Sequence, residues 1–169
     1  AGTIATGGDL DLSGKTVTNA GTIEVARGNE FKVTSEDYPG GGTIKNLNAA
    51  GGAKAFVVTS GNSTIAAAEA NAILGDLARA SGANIGNVQV DKALGGNVAV
   101  AAQAGLLDLQ AAQAAAVSVD VGAANLLLSG GGKFNDVKAG TIQNTAAVDY
   151  KGAIRGNLNV DDDVAFKTG

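Results

Sequence analysis

The chain has 169 residues, of which 26 are Gly and 33 Ala, so more than a third of it is the two smallest residue types. His, Cys, Met and Trp are absent and Pro occurs once, which removes the common zinc, haem and iron–sulfur ligand sets and all His- or Cys-based catalysis. Twelve basic against sixteen acidic residues give a net charge of −4, and with no Lys/Arg cluster and no aromatic ladder, nucleic acid is not an expected partner.

The length fits one domain over residues 1–169. Hydrophobic residues make up 45%, but much of that is Ala and aromatics are only 4%. So few large side chains cannot fill a thick core, and a thin stacked solenoid suits them better. Purely apolar runs such as 98–102, 114–117 and 126–128 fall far short of the roughly 20 residues a membrane helix needs, so membrane insertion is not expected. The chain starts at Ala1 and lacks Met, as a processed mature chain or a fragment would. A secreted protein without Cys does without disulfides, as many bacterial surface proteins do.

In chain order, the first signal is the dipeptide Thr-Ile at Thr3, Thr22, Thr43, Thr64 and Thr141. With 12 Thr and 8 Ile, chance predicts fewer than one occurrence. The first four are 19, 21 and 21 residues apart, and Gly2, Gly21, Gly42 and Ser63 precede them. Small turn residues followed by a β-branched pair mark the start of a strand. The phase continues through Asn84-Ile85, Gly105-Leu106 and Asn125-Leu126, then shortens to Thr141-Ile142 and Ala153-Ile154. Further strand-like segments are 9–12, 15–18, 30–34, 55–59, 87–90, 97–100, 117–121 and 157–160. Three such strands and three tight turns fill a coil of about 21 residues. Seven or eight coils stacked at roughly 4.8 Å would make a β-solenoid rod of about 35 Å. A β-sandwich or barrel with one or two helices is the alternative architecture.

Residues 63–81 read as a helical insertion, rich in the strongest helix former. Asn62 or Ser63 would cap its start, Gly82 its end, and Ile65, Ala68, Ala72, Ile73, Leu77 and Ala80 would form its apolar stripe. Residues 99–116 fit helix or strand. From Val117 to Val121 the pattern alternates as a strand does.

No residue set in the sequence specifies catalysis, a cofactor or a metal. Asp161, Asp162 and Asp163 are consecutive and alternate faces in a strand, so they read as a solvated turn rather than a cation site. Asp9 with Asp11, and Glu36 with Asp37, are carboxylate pairs of the kind glycoside cleavage uses. Without long loops or many aromatics to grip sugar, they read as surface acids, and an enzyme is not expected. The runs Gly40–Gly42 and Gly130–Gly132 lack the P-loop and dinucleotide-binding patterns and read as turns. A Thr column one residue wide reads as a coil-stabilising ladder; an ice-binding solenoid, suggested by Thr16 and Thr18, is a weaker alternative.

Residues 2–48, carried by Leu12-Ser-Gly-Lys-Thr-Val-Thr-Asn-Ala-Gly-Thr-Ile23 and Gly42-Thr-Ile-Lys-Asn-Leu47, resemble the repeats of bacterial autotransporter and filamentous-haemagglutinin-type adhesins. Gly8-Asp-Leu-Asp-Leu-Ser-Gly14 is similar to phage fibre proteins. The resemblance implies an extracellular, cell-surface or virion-surface β-rich structural protein, with no catalytic residues to transfer. The sequence therefore leads to a non-enzymatic subunit of a filament, adhesin fibre or lattice. Its partners would be other copies of itself, paired through strands at 2–11 and 156–166. The alternative is a carbohydrate-binding module or glycan-active fibre domain, with host or surface glycans as partners and Tyr38 or Tyr150 beside the sugar.

Overall fold

The computed structural model describes residues 2–25, 29–46, 54–60, 64–78, 87–99 and 105–169. The first coils run through Thr3–Thr6 (β1), Leu10–Ser13 (β2), Thr22–Val25 (β3), Phe31–Ser35 (β4), Thr43–Asn46 (β5) and Lys54–Ser60 (β6). After Thr64–Ile65 (β7) the chain forms its helix, Ala67–Ala78 (α1), and re-enters the stack at Asn87–Val90 (β8). The later coils comprise Ala93–Leu94 (β9), Val98–Ala99 (β10), Leu106–Leu109 (β11), Gln113–Asp120 (β12) and Asn125–Leu128 (β13). Gly132–Asn144 (β14), Val148–Tyr150 (β15), Ile154–Val160 (β16) and Phe166–Thr168 (β17) complete them. All strand pairs among the described residues are parallel, and the result is a β-solenoid of about 7 turns with one described helix.

The largest sheet carries the main core column. Leu10, Phe31, Phe56, Val88, Leu107, Leu126, Ile142 and Leu158 succeed one another in register. The steps along that column are 21, 25, 32, 19, 19, 16 and 16 residues. The long step of 32 accommodates α1 between β6 and β8. The short ones arise where β14 passes through 13 residues of continuous strand, replacing a looped corner with a bend. Parallel stacking puts like on like, so each apolar residue covers the one below. Phe31, Leu126 and Ile142 are fully buried, each contributing about 1.5–3 kcal/mol relative to exposure.

The Thr-Ile pairs behave as expected at the start of the chain. Thr3, Thr22 and Thr43 stand opposite one another, as do Ile4, Ile23 and Ile44, with Ile23 and Ile44 buried. The glycines before them are required by proximity. A Cβ on Gly21 would lie 2.2 Å from the Gly2 carbonyl oxygen, and one on Gly42 2.5 Å from that of Gly21. Those carbonyls accept hydrogen bonds from the Thr22 and Thr43 amides across the corner, at 3.0 and 2.9 Å.

Later in the chain the phase differs from the sequence expectation. Leu106, not Gly105, stands opposite Asn125, so the Gly105-Leu106 assignment is one residue out. The shortened step from Asn125-Leu126 to Thr141-Ile142 is as expected, but the next level is Asn157-Leu158; Ile154 stands opposite Val137, so the Ala153-Ile154 assignment is out. Residues 15–18 form no strand; a single bridge joins Thr16 to Asp37. Asn84-Ile85, the caps at Asn62, Ser63 and Gly82, and Val100 lie outside the described residues. In the 99–116 stretch, Leu106–Leu109 and the start of β12 are strand. Leu107 and Leu109 are buried on Val88 and Val90, and that packing overrides helix propensity.

Helix α1 buries Ile73 as the predicted stripe has it, but Ile65 belongs to β7, Ala68 is exposed and Ala72 is half-buried, while the side chains of Leu77 and Ala80 lie outside the described residues. The described buried positions are Glu69, Ala70, Ile73, Leu74 and Asp76. Two of the five are acids, which an apolar-periodicity search passes over.

Candidate functional site

Three regions collect the residues that the sequence singled out: the seat of α1, the outward-facing acids, and the two ends of the stack. At the seat, the Gly40–Gly42 corner has more than a turn's role. A Cβ on Gly40 would lie 2.8 Å from the Ala72 carbonyl oxygen, so the missing side chain is what lets the helix approach. Asp76, with no solvent exposure, accepts hydrogen bonds from the Gly41 amide at 2.7 Å, the Tyr38 hydroxyl at 2.9 Å and the Asn19 side-chain amide at 3.2 Å. One carboxylate thereby ties the helix to residues from two successive coils. Two turns away on the helix, the Ser35 hydroxyl donates to Glu69 at 2.8 Å. Burial pushes the Glu69 carboxyl above its ordinary value of 4.5; the Ser35 hydrogen bond opposes the rise and the Asp37 charge adds to it. This arrangement fastens the helix to the coils.

The outward acids are spread out. Asp9 and Asp11 lie on the exterior of β2, as their spacing of two predicts, and the Asp9 carboxylate accepts the Glu30 amide of the next coil at 2.9 Å. Asn97 receives the Ser118 amide and Asp136 the Ala153 amide in the same way. Short polar side chains thus satisfy backbone donors where the ladder breaks at a corner. Asp161, Asp162 and Asp163 form an exposed turn, with Asp163 at φ 67°. Among the described residues, no group of three acids is placed to hold a metal ion.

Both Tyr38 and Tyr150 are core residues, 2% and 0% exposed. Tyr150 donates its hydroxyl to the buried Asn144 side chain at 2.8 Å and packs against Phe134, with ring centroids 6.5 Å apart. Neither ring faces solvent, so the expectation of sugar stacking on them is overturned. A coil this narrow uses its few aromatics to fill its interior. Nor is there a Thr array of ice-binding breadth along the first column, since the neighbouring outward position of β3 is Glu24.

At the ends, among the described residues, β1 pairs with β3 alone and β2 with β4 alone, while β16 pairs only with β14 and β17 only with β15. Ile4 is 53% exposed although its counterpart Ile23 one coil in is 3% exposed. Phe166 is 47% exposed against 3% for Val148, the residue it stacks on. Each is a core-column residue with no coil covering it. Ile4, Leu12 and Val17 line an open apolar depression of about 390 Å³ at the first end.

Fold and site together define a parallel β-solenoid with a helix clasped to its flank. Comparison of the chain with protein-family models, curated proteins and solved structures finds no match in any of the three. No helix among the described residues is long and apolar enough to cross a membrane.

Proposed function

We propose that this protein is a non-enzymatic structural subunit of an extracellular or virion-surface assembly, a filament, adhesin fibre or lattice, that self-associates through its terminal strands. The observation that carries this reading is the pair of uncovered rims. Unpaired parallel edges are templates for another strand, and here each coincides with an exposed core-column residue, Ile4 at one end and Phe166 at the other. Each is about half exposed, so burying either against a second copy gains about 1 kcal/mol beyond the backbone pairing. Size-exclusion chromatography with light scattering, together with negative-stain microscopy over a concentration series, tests it. Rods or oligomers that grow with concentration, and that the Ile4→Ser/Phe166→Ser variant suppresses, are expected. A monodisperse monomer at all concentrations refutes the proposal.

A further inference from the structure

Among the described residues, the main column opens at Leu10 of β2 and closes at Leu158 of β16. Leu10, Leu12, Leu158 and Val160 are half-buried. Phe31, Val33 and Ile142, which stand opposite the first three of them, have no solvent exposure. Asp9 and Asp11 flank Leu10, Asn157 and Asn159 flank Leu158, and all four are exposed. The ladder runs one residue past each strand: the Gly14 amide donates to the Thr34 carbonyl at 3.1 Å and the Asp161 amide to that of Asn144 at 3.0 Å. The corners reached in this way carry opposite charge, Lys15 after β2 and the turn of Asp161, Asp162 and Asp163 after β16, and both are exposed.

A second copy shifted along the stack axis keeps its strands parallel to those below, as they are within the chain. Continuing the column then sets its Leu10 on Leu158 and its Leu12 on Val160. Asp9 meets Asn157 and Asp11 meets Asn159, so carboxylates face side chains that carry amide donors. Lys15 arrives at the corner of the acidic turn, opposite charges on neighbouring strands. Phe166 follows β16 in its coil as Val17 follows β2, so the same shift carries it towards the depression lined by Ile4, Leu12 and Val17. Joining like rims does the reverse. Two first levels set Asp9 and Asp11 against themselves, two last levels bring together two triple-Asp turns, and like charges directly opposite are destabilising. We propose that copies join head to tail, β2 of one copy in register on β16 of the next. The inference rests on the self-association reading above and adds to it which rim meets which, and in what register. Such a contact is heterologous, so each added copy presents the same rim again and a directional filament grows.

The chain has no Cys, so introduced thiols report the contact without interference. Facing Cα atoms on neighbouring strands, roughly 4.8 Å apart, lie within disulfide reach, whereas residues two out of register are about 8 Å apart and do not. The test is mild oxidation of mixed single variants at concentrations where light scattering detects oligomers. Asp11→Cys mixed with Asn159→Cys, and Ser13→Cys mixed with Asp161→Cys, all at exposed positions, are expected to form crosslinked dimers. The yield should be at least about fivefold above that of any variant alone or of the mismatched mixture of Asp11→Cys with Asp161→Cys. Either Asp11→Cys or Asn159→Cys alone crosslinking as well as their mixture means that like rims meet. Oligomers with no crosslink in either matched mixture mean that the rims are not the contact. Both results overturn the head-to-tail register while self-association stands. A monomer at every concentration overturns the self-association reading itself, and this inference with it.

Discussion

Replacing Asp76 by Ala removes the acceptor that joins α1 to the coils. The carboxylate takes hydrogen bonds from Gly41, Tyr38 and Asn19, residues 35, 38 and 57 positions away in the chain. Losing it deprives three donors of this partner in a region closed to water, where each compromised buried group costs about 1–3 kcal/mol. Partial relaxation and water entry near the part-buried Gly41 amide reduce the sum, and a loss of about 3–5 kcal/mol matches what removing one member of a buried charged network costs. Asp76→Asn keeps the shape and one acceptor, so its cost should be smaller, about 1–2 kcal/mol. Urea unfolding followed by circular dichroism measures both, and amide hydrogen exchange shows where the loss falls. Protection should drop first in Ala67–Ala78 and at Gly41, ahead of the main sheet. If Asp76→Ala unfolds within about 0.5 kcal/mol of the parent, the range of an ordinary surface change, the clasp is not what holds the helix.

Two further expectations follow from individual positions. Gly132 has φ 103° and a Cβ there would sit 2.3 Å from the Gln113 amide nitrogen, whereas Gly41, at φ 122°, has open space around it. Gly132→Ala should therefore cost both backbone strain and coil separation, roughly 3 kcal/mol or more, against about 1 kcal/mol of strain for Gly41→Ala; equal unfolding midpoints for the two variants would contradict this. The raised Glu69 pKa means that the folded state holds its proton more tightly than the unfolded chain does. Stability from this group is fully present below about 4.5 and is lost as pH rises through the higher folded value. Relative to the parent, Glu69→Gln should gain stability as pH increases from 4 to 7; a parent-minus-variant difference that is flat with pH would remove Glu69 from the account.

Much of the solenoid was legible in the chain because parallel stacking repeats the same demand at each level. A Gly at a corner, a β-branched pair and an inward apolar residue must recur wherever coils superpose, so Thr3, Thr22 and Thr43 announce their own alignment. The composition is intelligible for the same reason: Gly21 and Gly42 lack side chains because neighbouring carbonyls occupy that space. The period failed where coils changed size, since sequence spacing measures chain length and not height in the stack. Sixteen residues between Ile142 and Leu158 climb one level, as do 32 between Phe56 and Val88.

The candidate sites were hidden for a different reason. Asp76 and Glu69 looked like ordinary helix acids, and nothing local distinguishes a carboxylate facing water from one facing Tyr38 and Ser35. Tyr150 looked available for a ligand until its ring was found in the core beside Phe134. The sequence alone determined that the chain coils, which residues turn its corners and which chemistries it lacks, because these depend on local geometry repeated at each level. Only the tertiary structure decided which acids are buried and which aromatics are withheld from solvent. Those properties belong to neighbouring coils, and their distances are set by the stack.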